Sequence, residues 1–158
     1  MSNLSAAALV LAAAVAIQDL PSKGESRAET KHLTLSTSSN APTGAAGKRV
    51  SLLLDVTPKP TMHVYAPGQD GYIAISLTLE PNPAFTAGKA KYPAGEKLLM
   101  EALKETQIVY AKPFRITQDV TLKGASAPLT IKGTVRYQAC DETTCYLPIN
   151  VPVQWTIK

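Results

Sequence analysis

Residues 129–158 read LTIKGTVRYQACDETTCYLPINVPVQWTIK, and two runs inside this stretch decide the fold class. Leu129, Ile131, Val135 and Tyr137 alternate with Thr130, Lys132, Thr134 and Arg136, and Val151, Val153, Trp155 and Ile157 resume the pattern after an interruption. Successive side chains of an extended chain point to opposite faces, so a period of two marks strands with one face toward a core. The alternation recurs upstream in Leu33 and Leu35, in Val50, Leu52, Leu54 and Val56, in Ile73, Ile75, Leu77 and Leu79, and in Phe114, Ile116, Val120 and Leu122. Turn-forming clusters separate these runs: SSNAPTGAAG (38–47), TPKP (57–60), PGQDG (67–71), EPNPAF (80–85) and KGASAP (123–128). About seven to nine short strands spaced in this way predict an antiparallel β-sandwich. Only EKLLMEALKE (96–105) has helical spacing, with Leu98, Leu99, Ala102 and Leu103 on one side. It predicts a short helical or loop segment capping one end of the sandwich.

A chain of 158 residues, 45% hydrophobic, has room for one domain with a substantial core. Sixteen Lys and Arg against twelve Asp and Glu give a net charge of +4. These basic residues are scattered without interleaved aromatics, so no nucleic-acid partner is expected. Leu4 to Ile17 is an uncharged, Ala-rich run too short to span a bilayer, and Ala14-Val15-Ala16 fits a small-x-small cleavage site. Residues 1–16 therefore read as a signal peptide, although no Lys or Arg precedes the run. Residues 17–31 read as a flexible polar lead-in and 32–158 as the domain. The mature chain is expected to be periplasmic or otherwise exported, not inserted in a membrane, in a compartment where disulfides persist.

The interruption in the opening stretch holds the only two cysteines, Cys140 and Cys145. Cys140 shares the parity of Thr130 to Gln138 and so is expected on the polar side of its strand unless a bulge intervenes. Asp141 to Thr144 reads as a four-residue hairpin loop with the cysteines opposite each other, and opposed Cα atoms ~4.5–5.5 Å apart can be bridged. Such a bond closes so short a loop that its structural worth is roughly 2 kcal/mol. A tight pair at a polar strand end suits opening and closing better than bracing. Asp141 and Glu142 disfavour a nearby thiolate, so the pair reads as a disulfide that accepts attack by a partner's thiolate.

GTVRYQACDETTCYLP (133–148) resembles the cysteine motif of the N-terminal domain of the thiol:disulfide interchange protein DsbD, also called the disulfide bond corrector domain family. The matching positions are Tyr137, Gln138, Cys140, Cys145, Tyr146 and Pro148; MHVYAPG (62–68), YPAGEK (92–97) and IVYAKPFRI (108–116) follow the family's order. The resemblance covers about residues 32 to 158. It implies an immunoglobulin-like sandwich whose cysteines shuttle between disulfide and dithiol, Cys145 forming the mixed disulfide and Cys140 resolving it. It implies that His63, Tyr65, Tyr137, Tyr146 and Pro148 line the site, and that a cap containing Glu96, Leu98, Leu99 and Met100 covers it. The implied partners are thioredoxin-like redox proteins and a membrane-embedded electron-transfer protein. Two features depart from the pattern: four residues separate the cysteines where the best-known members have five, and the cap lacks their shielding aromatic.

Blander readings stand beside this one. The disulfide could be a local brace in a non-catalytic β-sandwich that binds a protein or glycan. MHVYA could be an ordinary strand with Met62, Val64 and Ala66 inward and His63 and Tyr65 outward. No cofactor or metal is expected, because two cysteines with the distant His32 and His63 lack zinc-site spacing.

Overall fold

The structure, a computed structural model, describes residues 26–41, 45, 47–101, 104–124 and 128–158. The proposed signal peptide and most of the lead-in fall outside them. The described residues form twelve strands and no helix. Five make one antiparallel sheet in the order β1 (Arg27–Glu29), β2 (Leu33–Ser39), β3 (Arg49–Pro58), β9 (Phe114–Leu122) and β6 (Phe85–Lys91). Opposite lies a sheet ordered β12 (Ile149–Ile157), β10 (Leu129–Tyr137) and β5 (Ser76–Leu79). The expected immunoglobulin-like β-sandwich is borne out. β1 falls within the stretch read as a flexible lead-in and pairs with β2.

The inward residues of the alternating runs meet between the sheets. Leu33, Leu35, Leu52, Leu54 and Ile116 from one side and Ile131, Val135 and Trp155 from the other are fully buried in one cluster. Trp155 also donates its indole N–H to the Leu53 carbonyl at 2.9 Å, so its polar edge is satisfied across the gap. Burying each such side chain contributes about 1.5–3 kcal/mol. Close packing also explains Gly133: a Cβ there would lie 2.9 Å from the Thr78 carbonyl oxygen of the neighbouring strand.

A third, four-stranded sheet extends from one end, ordered β11 (Ala139–Cys140), β4 (His63–Tyr65), β8 (Glu105–Tyr110) and β7 (Glu96–Met100). β10 and β12 run in unbroken register from Leu129↔Ile157 to Tyr137↔Ile149. Residues 138–148 therefore leave that ladder as an excursion, and its first two strand residues pair with β4 instead. The step occurs at Gln138, whose side chain accepts from the Ile73 N–H at 3.2 Å and donates to the Tyr146 carbonyl at 3.2 Å. The cap segment is a β-hairpin, β7–β8, and not the helical turn or loop that its spacing suggests. Leu98 is half-buried while Leu99 is exposed, the strand alternation of EKLLM; Ala102 and Leu103 of the supposed helical face lie outside the described residues.

Candidate functional site

Cys140 and Cys145 are joined by a disulfide with their Cα atoms 4.0 Å apart, and no other cysteine is present. They face each other across an antiparallel bridge, as the hairpin reading requires, and Asp141 N–H donates to the Thr144 carbonyl at 2.9 Å across the tip. The two ends of the bond differ sharply. Cys145 is exposed, whereas Cys140 is 0% exposed. The expectation that Cys140 lies on the polar side is thus corrected. Tyr137 and Ala139 keep the inward parity of β10 across Gln138, and Cys140 is buried as well because β11 is covered on both faces.

Cys140 packs with Tyr65 and Val109 in a small core of its own, against which Tyr72 and Leu98 are partly buried. The Tyr65 hydroxyl lies 3.1 Å from Cys140 Sγ and 3.4 Å from Cys145 Sγ. A disulfide sulfur carries no hydrogen, so the phenol is the donor to both. Burial, and next the neighbouring Tyr72, push the Tyr65 phenol up to about 12, which keeps that proton in place. Its ring stacks on Tyr72 at 4.3 Å and meets His63 edge-on at 5.9 Å.

His63 lies opposite Cys140 in the β4–β11 pair, 3% exposed, with Nε2 lacking a hydrogen-bond partner. Burial lowers its pKa, and the Asp141 carboxylate opposes that shift. His63, Val64, Tyr65 and Ala66 are all buried, so the inward-outward alternation considered for MHVYA does not hold: β4 is covered on both faces.

Other expected residues sit in an outer ring or elsewhere. Tyr146 is half-buried, donates to Asp141 Oδ2 at 2.8 Å, and lies tilted against His32 at 4.6 Å with Lys31 over its ring. The Tyr137 hydroxyl turns away from the sulfurs to meet Thr30 Oγ1 at 2.8 Å, tying the redox segment to the chain before β2. Pro148 is half-buried three residues beyond Cys145. Of the cap residues, Leu98, Leu99 and Met100 line a groove of about 570 Å³ with Met62, His63 and Thr143. Glu96 is not brought to it: its carboxylate accepts from Lys112 Nζ at 2.9 Å and from the Ala111 N–H at 3.1 Å. Leu98 and Tyr72 are each partly buried against the Cys140 cluster. Gly95 lets the hairpin close down, since a Cβ there would fall 2.7 Å from Ala66 Cβ and 2.6 Å from Ile108 Cγ2.

Sequence reasoning missed Tyr72, Val109 and the turn role of Asp141. The first two join the cluster around Cys140 only through tertiary packing. The third had a local signal, because Asp followed by Thr at the second and third positions is an Asx-turn pattern. Among the described residues no group of three His, Cys, Asp or Glu could hold a metal ion.

Residues 32–154 match the family model described as thiol:disulfide interchange protein DsbD, N-terminal. No curated protein matches the chain. Among solved structures, the N-terminal periplasmic domain of ScsB from Proteus mirabilis is similar at a TM-score of 0.57 and 12% identity, covering 80% of this chain and 47% of that one. This chain thus spans about half the length of that relative. The DsbD N-terminal domain of Neisseria meningitidis in the reduced form is similar at a TM-score of 0.48 and 16% identity, covering 80% of this chain and 86% of that one.

Proposed function

The chain belongs to the DsbD N-terminal family, and on that premise we propose that it is a thiol–disulfide exchange module passing electrons between thioredoxin-like proteins through Cys140 and Cys145. One observation carries the reading: the bond joins an exposed cysteine to one sealed from solvent beneath a phenol donor. Exchange requires a thiolate to attack one sulfur while the other leaves as a thiolate. Attack is feasible at Cys145, and the departing Cys140 sulfur already has the Tyr65 O–H aimed at it.

In the reducing half, a donor thiolate attacks Cys145 Sγ, forming a donor–Cys145 disulfide and releasing the Cys140 thiolate. Tyr65 donates a hydrogen bond to that anion among the apolar side chains that bury it. The donor's second thiolate then attacks its own sulfur in the mixed disulfide. The donor leaves oxidised, and two electrons, with two protons from water, rest on Cys140 and Cys145. In the second half the Cys145 thiolate attacks an acceptor disulfide, and Cys140 attacks Cys145 to reclose the pair and release the reduced acceptor. The family, the leader-like Leu4–Ile17 run and the periplasmic ScsB domain support work in the periplasm, with a membrane-embedded protein as the source of electrons.

A Cys140→Ser variant mixed with a thioredoxin-like protein that lacks its resolving cysteine and carries thionitrobenzoate on the remaining one is expected to accumulate a one-to-one adduct through Cys145 on a non-reducing gel, with thionitrobenzoate released as the leaving group. Cys145→Ser is expected to give none. If neither variant forms an adduct and the wild-type pair has a potential below about −300 mV, the bond is a structural brace and the exchange reading fails.

A further inference from the structure

One side chain holds the turn between the cysteines. Asp141 Oδ1 accepts from the N–H groups of Thr143 at 2.8 Å and Thr144 at 2.7 Å and from the Thr143 hydroxyl at 3.1 Å. Its Oδ2 accepts from the Tyr146 hydroxyl at 2.8 Å. Beyond the tip, Tyr146 N–H donates to the Ala139 carbonyl at 2.9 Å. None of these bonds involves a sulfur, so all of them are available to the dithiol as well as to the disulfide. The donors facing the carboxylate hold its pKa down at about 2, the Thr143 N–H first among them, so it is an anion at any physiological pH.

We propose that Asp141 is the positioning residue of the redox pair: its carboxylate keeps the turn closed once the S–S bond is broken, and its charge keeps the Cys145 thiol protonated until a partner docks. The inference rests on the exchange reading and adds to it what sets the strength of the pair. Thiols held at closing distance need little reorganisation to rejoin, which favours the disulfide and makes the dithiol a stronger reductant. A fixed negative charge four residues from Cys145, in a turn whose ends lie 4.0 Å apart, disfavours the thiolate.

Two variants of the full chain separate the two effects. Asp141→Ala removes acceptors and charge together. Asp141→Asn keeps a carbonyl oxygen for the Thr143 and Thr144 N–H groups, removes the charge, and reverses the contact with Tyr146, whose hydroxyl oxygen can accept from the amide NH2 that replaces Oδ2. Equilibration against glutathione is expected to show the Asp141→Ala disulfide about tenfold easier to reduce, an upward shift of about 30 mV, with Asp141→Asn staying within about threefold of wild type. Iodoacetamide alkylation across pH, in a Cys140→Ser background, is expected to show a lower Cys145 thiol pKa in Asp141→Asn than in the parent. The proposal is overturned if Asp141→Ala keeps the wild-type equilibrium, if Asp141→Asn moves it as far as Asp141→Ala, or if the Cys145 pKa is unchanged. Should Asp141→Ala fail to fold, the Asp141→Asn potential and thiol pKa still decide it. These readings do not require a partner, so a wild-type chain that forms no mixed disulfide would sink the exchange reading while leaving Asp141 to be judged separately.

Discussion

The core between the two main sheets and the small core around Cys140 are built on opposite terms. The first is a continuous apolar cluster in which the large side chains with polar edges, Trp155, Tyr137 and Tyr110, all have hydrogen-bond partners. The second seals only Tyr65, Val109 and Cys140. In its four-stranded sheet the buried His63 Nε2 and both amide atoms of the buried Gln107 lack partners, three such atoms in a small lobe against two, His32 Nε2 and Gln118 Oε1, around the far larger sandwich core among the described residues. A buried polar group left unpaired costs about 1–3 kcal/mol, so this lobe contributes little net stability and draws on the sandwich for its order. The contrast teaches where each property resides. The sandwich supplies the free energy, and the lobe uses some of it to hold a sulfur, a phenol and an imidazole out of water.

The contrast is broken most directly by truncation in the large core. Trp155→Ala is expected to lower unfolding free energy by about 3–5 kcal/mol in a urea titration, while molecules that remain folded exchange thiols at the wild-type rate. A large loss of exchange per folded molecule would mean that the two cores are not separable. A smaller effect of opposite character is expected in the lobe. Tyr65→Phe should slow reaction of the disulfide with dithiothreitol about tenfold, the loss of one hydrogen bond to a developing thiolate, and change stability by about 1 kcal/mol or less. Because the phenol stays protonated up to about 12, its contribution to the rate should be level between pH 7 and 10. A contribution that titrates away in that interval would show that Tyr65 is not the donor.

The same contrast governs what the sequence made legible. The long strands β2, β3, β9, β10 and β12 were readable because each buries one face, which leaves a period of two in the residues. In the lobe that signal fails for identifiable reasons. β4 is buried on both faces, so HVY has nothing to alternate. In β7 the adjacent Leu98 and Leu99 point to opposite sides of a half-covered edge strand, yet in one dimension they mimic a helical stripe. β6 lies at the edge of the five-stranded sheet and is mostly exposed, so FTAGKAK carries little hydrophobic pattern. The cysteines and the pairing across their turn were readable locally. The burial of Cys140 was not, because β11 leaves the β10–β12 ladder to pair with β4 and is covered on both faces, which no periodicity announces. Tyr65 and His63 came forward only through resemblance to a family, and Tyr72 through neither route.

The smallest expected effect sharpens the comparison by pH, since each region buries one histidine. His32 lies tilted against Tyr146 beside the main sandwich, and burial chiefly, with Lys31 and Lys59 adding to it, lowers its pKa. His63 is lowered by burial, with Asp141 acting against that shift. In both cases the unfolded chain binds a proton near pH 6.5 that the folded chain refuses until lower pH. The stability they confer is therefore complete above about 6.5 and is lost as pH falls through the folded values. Between about pH 6.5 and 5 the carboxylates have barely begun to titrate, so thermal melts in that window report the histidines. A His32→Gln, His63→Gln double variant is expected to flatten the acid slope there, and each single variant to remove part of it. The His63 share should grow when Asp141 is changed to Asn, because the charge that favours the imidazolium is gone, whereas the His32 share should not move. An equal change in both would mean that the Asp141 charge is not local to the redox lobe.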